Sequence, residues 1–265
     1  MNTTQGARAV AIVAIVLGGA LAVGSVGTAA ASTLASAAQQ TSSRTIAVDG
    51  VDAIDLDMGA GSIQVEFAAV DQAELSVTGG ISADRWTLRK EGTALRVASP
   101  DGHFWSWIGL FGSHNGKAVL RLPQSLAGVD ADLDLAAGAL TADGRFGDLT
   151  VSAGAGRLQV QGSADTLSAE IDAGSADLQL ADVGSADLEL NAGQMDARFT
   201  GAQPQRMTLS ANAGSLNVVV PEGQYAVTQE TDAGTFDNRI GSVPGAASTV
   251  QVSVSAGSVT LSNGR

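Results

Sequence analysis

Apolar and polar residues alternate along most of this chain, and the alternation changes phase at a series of Ala-Gly pairs. Before a pair, apolar side chains occupy every second position, as in Leu167, Ala169, Ile171 and Ala173. Strict alternation of this kind predicts a β-strand with one buried face. After the pair the alternation resumes on the opposite parity, which in a straight strand would turn the apolar side chains to water. The pattern therefore predicts a strand, a corner at the pair, and a second strand.

The pairs recur at a nearly constant interval, so the strand–corner–strand unit is a repeat. From Gly138 onward the steps between their glycines are 16, 20, 19, 21, 20 and 23 residues. Glycine tolerates the backbone conformation of a sharp bend, and we expect the alanine before it to be a small inward-facing residue. One unit departs from the pattern, because Gln229 and Thr231 occupy its inward positions. The glycines of the series are Gly61, Gly138, Gly154, Gly174, Gly193, Gly214, Gly234 and Gly257.

A repeat of this length predicts an all-β fold built of stacked coils. Two short strands, the corner and a polar turn make one coil of about twenty residues, and such coils stack in repeat proteins. We therefore predict an elongated β-solenoid, a parallel β-helix-like repeat, over residues 45–265. An antiparallel sandwich is the competing fold, because its turns also come every 8–12 residues or so. Reuse of one corner at the same place in every unit favours the solenoid.

The N-terminal region predicts export from the cytoplasm. Residues 9–31 contain no charge and are long enough to cross a bilayer, and Arg8 precedes them. We expect a short cytoplasmic leader at 1–8, one transmembrane helix at 9–31 and a flexible linker at 32–44. A cleaved secretory signal is the alternative, because the small residues at 28–32 suit a cleavage site. The body is then either anchored at the cell membrane in a single pass or secreted.

Composition excludes several classes of function. The formal net charge of −13 argues against nucleic acid as a partner, since phosphate binding needs clustered Lys and Arg. The same charge argues against a body that lies on anionic lipid. With no cysteine in the chain, disulfides, thiol catalysis and thiolate metal sites are excluded.

One segment concentrates the few aromatic residues of the chain. Residues 101–116 hold four of them, and His103 and His114 flank these aromatics. The segment either docks a partner or the membrane interface, where Trp is favoured, or it covers an open end of the solenoid. The two histidines lack a third ligand, so we predict no metal site there. The candidate contact residues are Phe104, Trp105, Trp107 and Phe111.

Carboxylates are the other candidate chemistry. Asp130, Asp132 and Asp134 share one strand face, and Asp55 and Asp57 occupy equivalent positions in the opening unit. Stacking could align further acids near the turns into a ladder of oxygen ligands for Ca²⁺. No known calcium-loop motif is present, and a solvated acidic face that keeps the protein soluble explains the same residues. The further acids are Asp172, Asp177, Asp182 and Asp187.

No motif of catalysis accompanies these residues. The chain has no G-x-S-x-G, no H-E-x-x-H and no phosphate-binding glycine loop, and the serines after the Ala-Gly pairs have no histidine nearby to activate them. We predict no catalytic, cofactor-binding or metal-binding residue. A glycan-cleaving enzyme of the β-helix type, using paired carboxylates, remains an outside alternative.

Three features resemble a known family. The opening TIAVDGVDAIDLDMGAGSIQV, the phrase AVLRLP and the train of A-G-[SQTA] corners are similar to the bacterial "putative adhesin" family. Its members are β-strand-repeat domains of unknown function, related to toast-rack domains of envelope-associated proteins. The resemblance covers residues 45–261. It implies one all-β repeat domain displayed at the bacterial cell surface, with no catalytic residues to carry over.

Together these observations predict a non-enzymatic, membrane-anchored, extracytoplasmic binding module. Its expected role is surface adhesion or interaction with a surface protein, a glycan or a second copy of itself. The alternative is an envelope-stress sensor that works through a membrane partner. No cofactor is expected in either case.

Overall fold

The computed structural model describes residues 41–79, 83–100 and 117–264. Apart from two short 3-10 helices, Ala83–Arg85 and Gln124–Leu126, the regular elements of these residues are β-strands. No helix in the described part of the chain is long and apolar enough to cross a membrane. The predicted transmembrane segment, 9–31, lies outside the described residues. The strands are β1 (Thr41–Ile46), β2 (Ala53–Met58), β3 (Gly61–Ala68), β4 (Ala73–Thr78), β5 (Thr87–Glu91), β6 (Ala94–Ala98), β7 (Lys117–Pro123), β8 (Asp130–Ala181), β9 (Ser185–Thr200), β10 (Arg206–Val220), β11 (Tyr225–Thr231), β12 (Thr235–Asn238), β13 (Ser248–Val254) and β14 (Ser258–Asn263).

The strands stack in parallel as rungs, where a rung is one strand, a corner and a second strand. β9 pairs with β10 on one side and with the end of β8 on the other, in parallel and across the corner. β8 itself winds through three rungs, and hydrogen bonds join residues 18 apart within it, such as the Ser152 hydroxyl to Asp134 at 3.0 Å. Parallel stacking of corner on corner confirms the predicted solenoid and excludes the antiparallel sandwich for these rungs.

The order of the rungs in space differs from their order in the chain at both ends. At the N-terminal end, β2 lies between β6 and β8. At the C-terminal end, β13 lies between β10 and β11, and β14 lies between β10 and β12. The repeat spacing did not predict this difference between the order of the rungs in space and their order in the chain. The full order is β6–β7, β2–β3, the three rungs of β8, β9, β10, β13–β14 and β11–β12.

The corner glycines form a column in which successive backbones are in direct contact. A Cβ atom placed on Gly193 would lie 2.0 Å from the carbonyl oxygen of Gly174, and one on Gly214 would lie 2.3 Å from that of Gly193. No side chain fits so close to a neighbouring backbone. The column is Gly61, Gly138, Gly156, Gly174, Gly193, Gly214, Gly257 and Gly234, and the first six have φ between 113° and 138°.

Two details of the predicted corner were wrong. The column passes through Gly156, not Gly154, because Ala153 is the last inward residue of its strand. The alanine before the corner glycine faces outward, and Ala173, Ala192 and Ala213 are exposed. The stacked glycine backbones occupy the inside of the corner, so the preceding side chain points to solvent.

The core is one continuous cluster of the inward side chains of both strand rows. Ile171 before a corner and Leu178 after it are 1% and 0% exposed, which confirms the predicted change of parity. The turns between rungs were predicted to be polar, but four turns in the middle of the stack hold a buried side chain. These residues, Phe146, Ala164, Val183 and Pro204, add a short third side to the core.

The two ends of the stack are closed differently. At the N-terminal end the pairing becomes antiparallel, with β4 on β7, β1 on β4 and β5 on β6, and Trp86 is buried beneath these strands. β1 includes residues 41–44, which the linker prediction placed before the domain. At the other end β11 and β12 form the last rung, and its inward-phase Gln229 and Thr231 are exposed. The irregular unit noticed in the sequence is therefore the end of the solenoid.

We predict that Gly193→Ala strongly destabilises the protein. The added Cβ would meet the Gly174 backbone at a φ of 113°, and strained backbone and overpacking each cost about 1–3 kcal/mol. A loss of about 3 kcal/mol or more in the free energy of unfolding by urea is expected.

Gly92→Ala is the matched control, since Gly92 also has a positive φ, 64°, but has no atom within 4 Å of its Cβ position. Its free energy of unfolding should fall by only about 1 kcal/mol, the cost of a positive φ at a residue with a Cβ atom. Equal losses in the two variants would contradict close packing of the glycine column.

Candidate functional site

The outward side chains of the stacked strands form two broad surfaces of aligned columns. We call the surface of the strands before the corner the acidic face and that of the strands after it the mixed face. On the acidic face Asp55 lies in register with Asp132, and Asp57 with Asp134. Because the rungs are parallel and in register, each polar position of one rung lies beside the same position of the next.

The charge of the protein is divided unequally between these faces. Within the parallel rungs, the acidic face carries ten carboxylates and two arginines, Arg96 and Arg206. The mixed face carries five carboxylates, Glu66, Asp143, Asp177, Asp196 and Asp237, and four cations, Lys117, Arg121, Arg157 and Arg198. The carboxylates of the acidic face are Asp55, Asp57, Asp130, Asp132, Asp134, Asp148, Glu170, Asp187, Glu189 and Glu230.

Four carboxylates in two neighbouring rungs form the densest part of the acidic face. Asp55, Asp57, Asp132 and Asp134 occupy this position, which confirms the predicted sharing of one face. Burial, and then the nearby charges of Asp55 and Asp134, raise the pKa of Asp132 above its usual value of 3.8. Arg96 donates a hydrogen bond to Asp55 at 2.8 Å and thus offsets the negative charge at one edge of the group.

The other aspartates of the predicted ladder do not align with one another. Asp172 lies at the corner, where it accepts a hydrogen bond from Asn191 at 2.9 Å. Asp177 is on the mixed face beside Asp196, and Asp187 is on the acidic face beside Ser168. Asp182 lies in a turn and accepts from the backbone N–H of Ala202 at 2.9 Å. These four positions fall at different points around the rung, so stacking keeps them apart and the predicted ladder is wrong for them.

A polar ladder does run along the corner, made chiefly of amides. Asn191 donates to Asp172, Asn212 donates to Asn191 at 2.6 Å, and Ser255 donates to Asn212 at 3.3 Å. The repeated polar residue just before the Ala-Gly pair was the available signal for it. Its members bind one another, so the ladder stabilises the stack.

The described residues offer shallow cavities. One of about 190 Å³ lies between β5 and the acidic face and is lined by Asp55, Arg89, Glu91 and Arg96, among others. Another of about 330 Å³ lies at the edge of the mixed face, beside Phe67 and Arg145. In this part of the chain no group of three or more His, Asp or Glu side chains is arranged to hold a metal ion.

The aromatic candidates cannot be placed on either face. Phe104, Trp105, Trp107 and Phe111, and both histidines, lie outside the described residues. The contact and capping interpretations of that segment stay predictions. Within the described residues, Trp86 and the antiparallel strands close the N-terminal end.

We predict that Asp132→Asn stabilises the protein near neutral pH. A raised pKa means that the folded state disfavours the ionised carboxylate, so the contribution of Asp132 to stability is present below pH 3.8 and is lost as the pH rises through the raised pKa. Removing the charge should raise the free energy of unfolding at pH 7 by about 0.5 kcal/mol, typical of a relieved like-charge pair. The gain should shrink as the pH falls toward 3.8.

Asp187→Asn is the control on the same face, because the register neighbours of Asp187, Ser168 and Thr208, are uncharged. Urea unfolding at several pH values should show little change for this variant. A gain for Asp132→Asn that does not depend on pH would refute the electrostatic explanation.

Several solved structures are distantly similar to this chain. No curated protein matches the chain. A "putative adhesin" from Bacteroides fragilis NCTC 9343 is a similar solved structure, with 12% identity, a TM-score of 0.48, and coverage of 84% of this chain and 97% of that one. A "putative cell adhesion protein" from Clostridium sporogenes ATCC 15579 has 9% identity and a TM-score of 0.39, with 85% and 100% covered. A "putative lipid binding protein" from Parabacteroides distasonis ATCC 8503 has 13% identity and a TM-score of 0.39, with 83% and 96% covered.

The family assignment rests on a match along most of the chain. The model of the family described as Toastrack DUF4097 matches residues 51–263, which include every rung from β2 to β14. The match confirms the resemblance to toast-rack domains that the Ala-Gly corners and the opening segment indicated. This chain belongs to the Toastrack DUF4097 family.

Proposed function

We propose that this protein is a non-enzymatic, extracytoplasmic binding module, anchored by its N-terminal segment, that contacts a surface protein or glycan through the acidic face. The observation that carries the proposal is the unequal division of charge between two otherwise similar faces. The acidic face carries ten carboxylates and two arginines, whereas the mixed face carries five carboxylates and four cations. A partner that presents basic groups would complement only the first side.

The acidic face has a cost in stability that the fold does not require. Like charges directly opposite each other on neighbouring strands are destabilising, and Asp55 with Asp132 and Asp57 with Asp134 are two such pairs. The mixed face of the same rungs also holds two like-charge pairs, Glu66 with Asp143 and Asp177 with Asp196, but its four cations nearly balance its five carboxylates. One of these cations, Arg121, pairs with Glu66 at 2.9 Å. A binding role explains why the excess of negative charge is concentrated on one face.

The shape of the surface supports binding rather than catalysis. Cleavage of a glycan needs two carboxyl groups that flank the scissile bond and a site that positions the sugar between them. Here the carboxylates lie in columns on a broad face, and the cavity beside them is shallow, about 190 Å³. Such a face suits many weak contacts along an extended partner.

The proposal predicts that binding depends on the acidic face. A variant that combines Asp55→Asn, Asp57→Asn, Asp132→Asn and Asp134→Asn should bind a lysine-rich peptide or a chitosan oligosaccharide about tenfold more weakly, or worse, in isothermal titration calorimetry at low salt. These probes stand for a basic protein segment and a cationic glycan. Added salt should weaken the parent's binding, since exposed charges are screened.

The matched control removes the same charge from the other face. Glu66→Gln, Asp143→Asn, Asp177→Asn and Asp196→Asn together should change affinity by less than about twofold. Equal losses in both variants would show that net charge alone matters and would refute a face-specific site. A membrane protein that co-purifies with the full chain from detergent, with no affinity for either probe, would favour the sensing role instead.

A further inference from the structure

The connection between β12 and β13 is longer than the turn requires. It spans residues 239–247, whereas the connections at 182–184, 201–205 and 221–224 have three to five residues. One of these, 221–224, leads from β10 past a rung to β11 with only four residues. The extra residues of 239–247 fold back against the last rung, and we call this segment the strap.

The strap occupies part of the outer edge of β11. The Ser242 hydroxyl accepts a hydrogen bond from the Val227 N–H at 2.9 Å and donates one to the Val227 carbonyl oxygen at 3.2 Å. The N–H of Val243 donates to the Tyr225 carbonyl oxygen at 2.8 Å. Among the described strands β11 pairs only with β13, which lies on its other side. The strap therefore binds the backbone groups that a further strand would use.

The strap has its own internal structure that holds it in place. Val243 to Ala246 form a β-turn closed by a 3.1 Å backbone hydrogen bond, with Pro244 and a glycine of φ 80° in the central positions that suit them. The Asn238 side chain accepts from the Ile240 N–H at 3.1 Å and donates to the Gly241 carbonyl at 3.0 Å. Ser242 is thus presented to the edge by two local turns.

We propose that residues 239–247 are an edge strap that ends the stack of rungs and prevents the last rung from pairing with a second copy of the chain. An exposed strand edge is a template for pairing with another chain, and proteins commonly cover such edges. At the N-terminal end antiparallel strands close the stack, and at this end the strap replaces them. The backbone groups of Gln229 and Thr231 face the same edge as Val227, because groups two residues apart point the same way. This device goes beyond the proposed binding role, and it would keep the module from assembling end to end.

Amide hydrogen exchange of the full-length chain in a mild detergent tests the contact directly. In the parent the Val227 amide should exchange at least tenfold more slowly than the Gln229 amide on the same edge. Ser242→Ala should abolish this difference, because it removes both hydrogen bonds of the hydroxyl. Ser253→Ala is the control, since Ser253 is an exposed serine on the adjacent rung. A Val227 amide that is unprotected in the parent would overturn the proposal.

Deletion of residues 242–245 tests the consequence for assembly. The remaining five-residue connection equals that at 201–205 in length, so the rungs can still be joined. Light scattering after size-exclusion chromatography should show self-association at least tenfold stronger than in the parent. A folded deletion variant, with parent-like exchange in β9 and β10, that associates no more than the parent would overturn the proposal. If the deletion prevents folding, exchange in Ser242→Ala decides the question.

Discussion

Contact between the backbones of stacked corner glycines is the constraint on which the rest of the structure depends. From Gly138 onward, no glycine of the column leaves room for a Cβ atom. Along the middle of the column, a Cβ atom added to one glycine would lie 2.0–2.3 Å from the carbonyl oxygen of the corner glycine in the neighbouring rung. Rungs can approach this closely only if every corner lies directly over the last. The glycine column therefore sets the register of both strand rows, and with it the columns of side chains that face inward and outward.

Strict register has opposite effects inside and outside the solenoid. Inside, it stacks apolar side chains such as Leu133, Leu188 and Leu209 into one continuous core. Outside, it places the polar groups of neighbouring rungs side by side, and some of these groups carry the same charge. Amide side chains placed in this way hydrogen-bond to one another, as in the corner ladder from Asp172 to Ser255. Carboxylates placed in the same way repel one another. The acidic face has three of these carboxylate pairs and few cations to offset them, and this is why we propose it as the binding surface. The mixed face has two such pairs, but its cations nearly balance its carboxylates in number.

The sequence predicted the parts of the fold that depend on local pattern. Alternation with a change of parity identified the strands, the buried residues and the corner, and the sharing of one face by Asp132 and Asp134 followed from it. The predicted inward orientation of the alanine was wrong, and so was the prediction of Gly154 as a corner glycine in place of Gly156, since both depend on how the next rung packs against the corner. The exchanged rung order was not predicted either, because every unit carries the same motif. Gln229 and Thr231 were nevertheless a signal for the end of the stack, since inward polar residues are tolerated where no rung follows.

Engineered disulfides test the stacking of the glycine column most directly, because the chain has no cysteine of its own. Ser215 and Ser258 follow Gly214 and Gly257, lie in register and have their hydroxyl oxygens 3.1 Å apart. Thr235 follows Gly234 and lies one rung further. The account predicts that the pair Ser215→Cys with Ser258→Cys closes a disulfide under mild oxidation, read by mass spectrometry. The pair Ser215→Cys with Thr235→Cys should stay reduced, because two rungs exceed the reach of a disulfide, about 7 Å. Closure of the second pair and not the first would contradict the account.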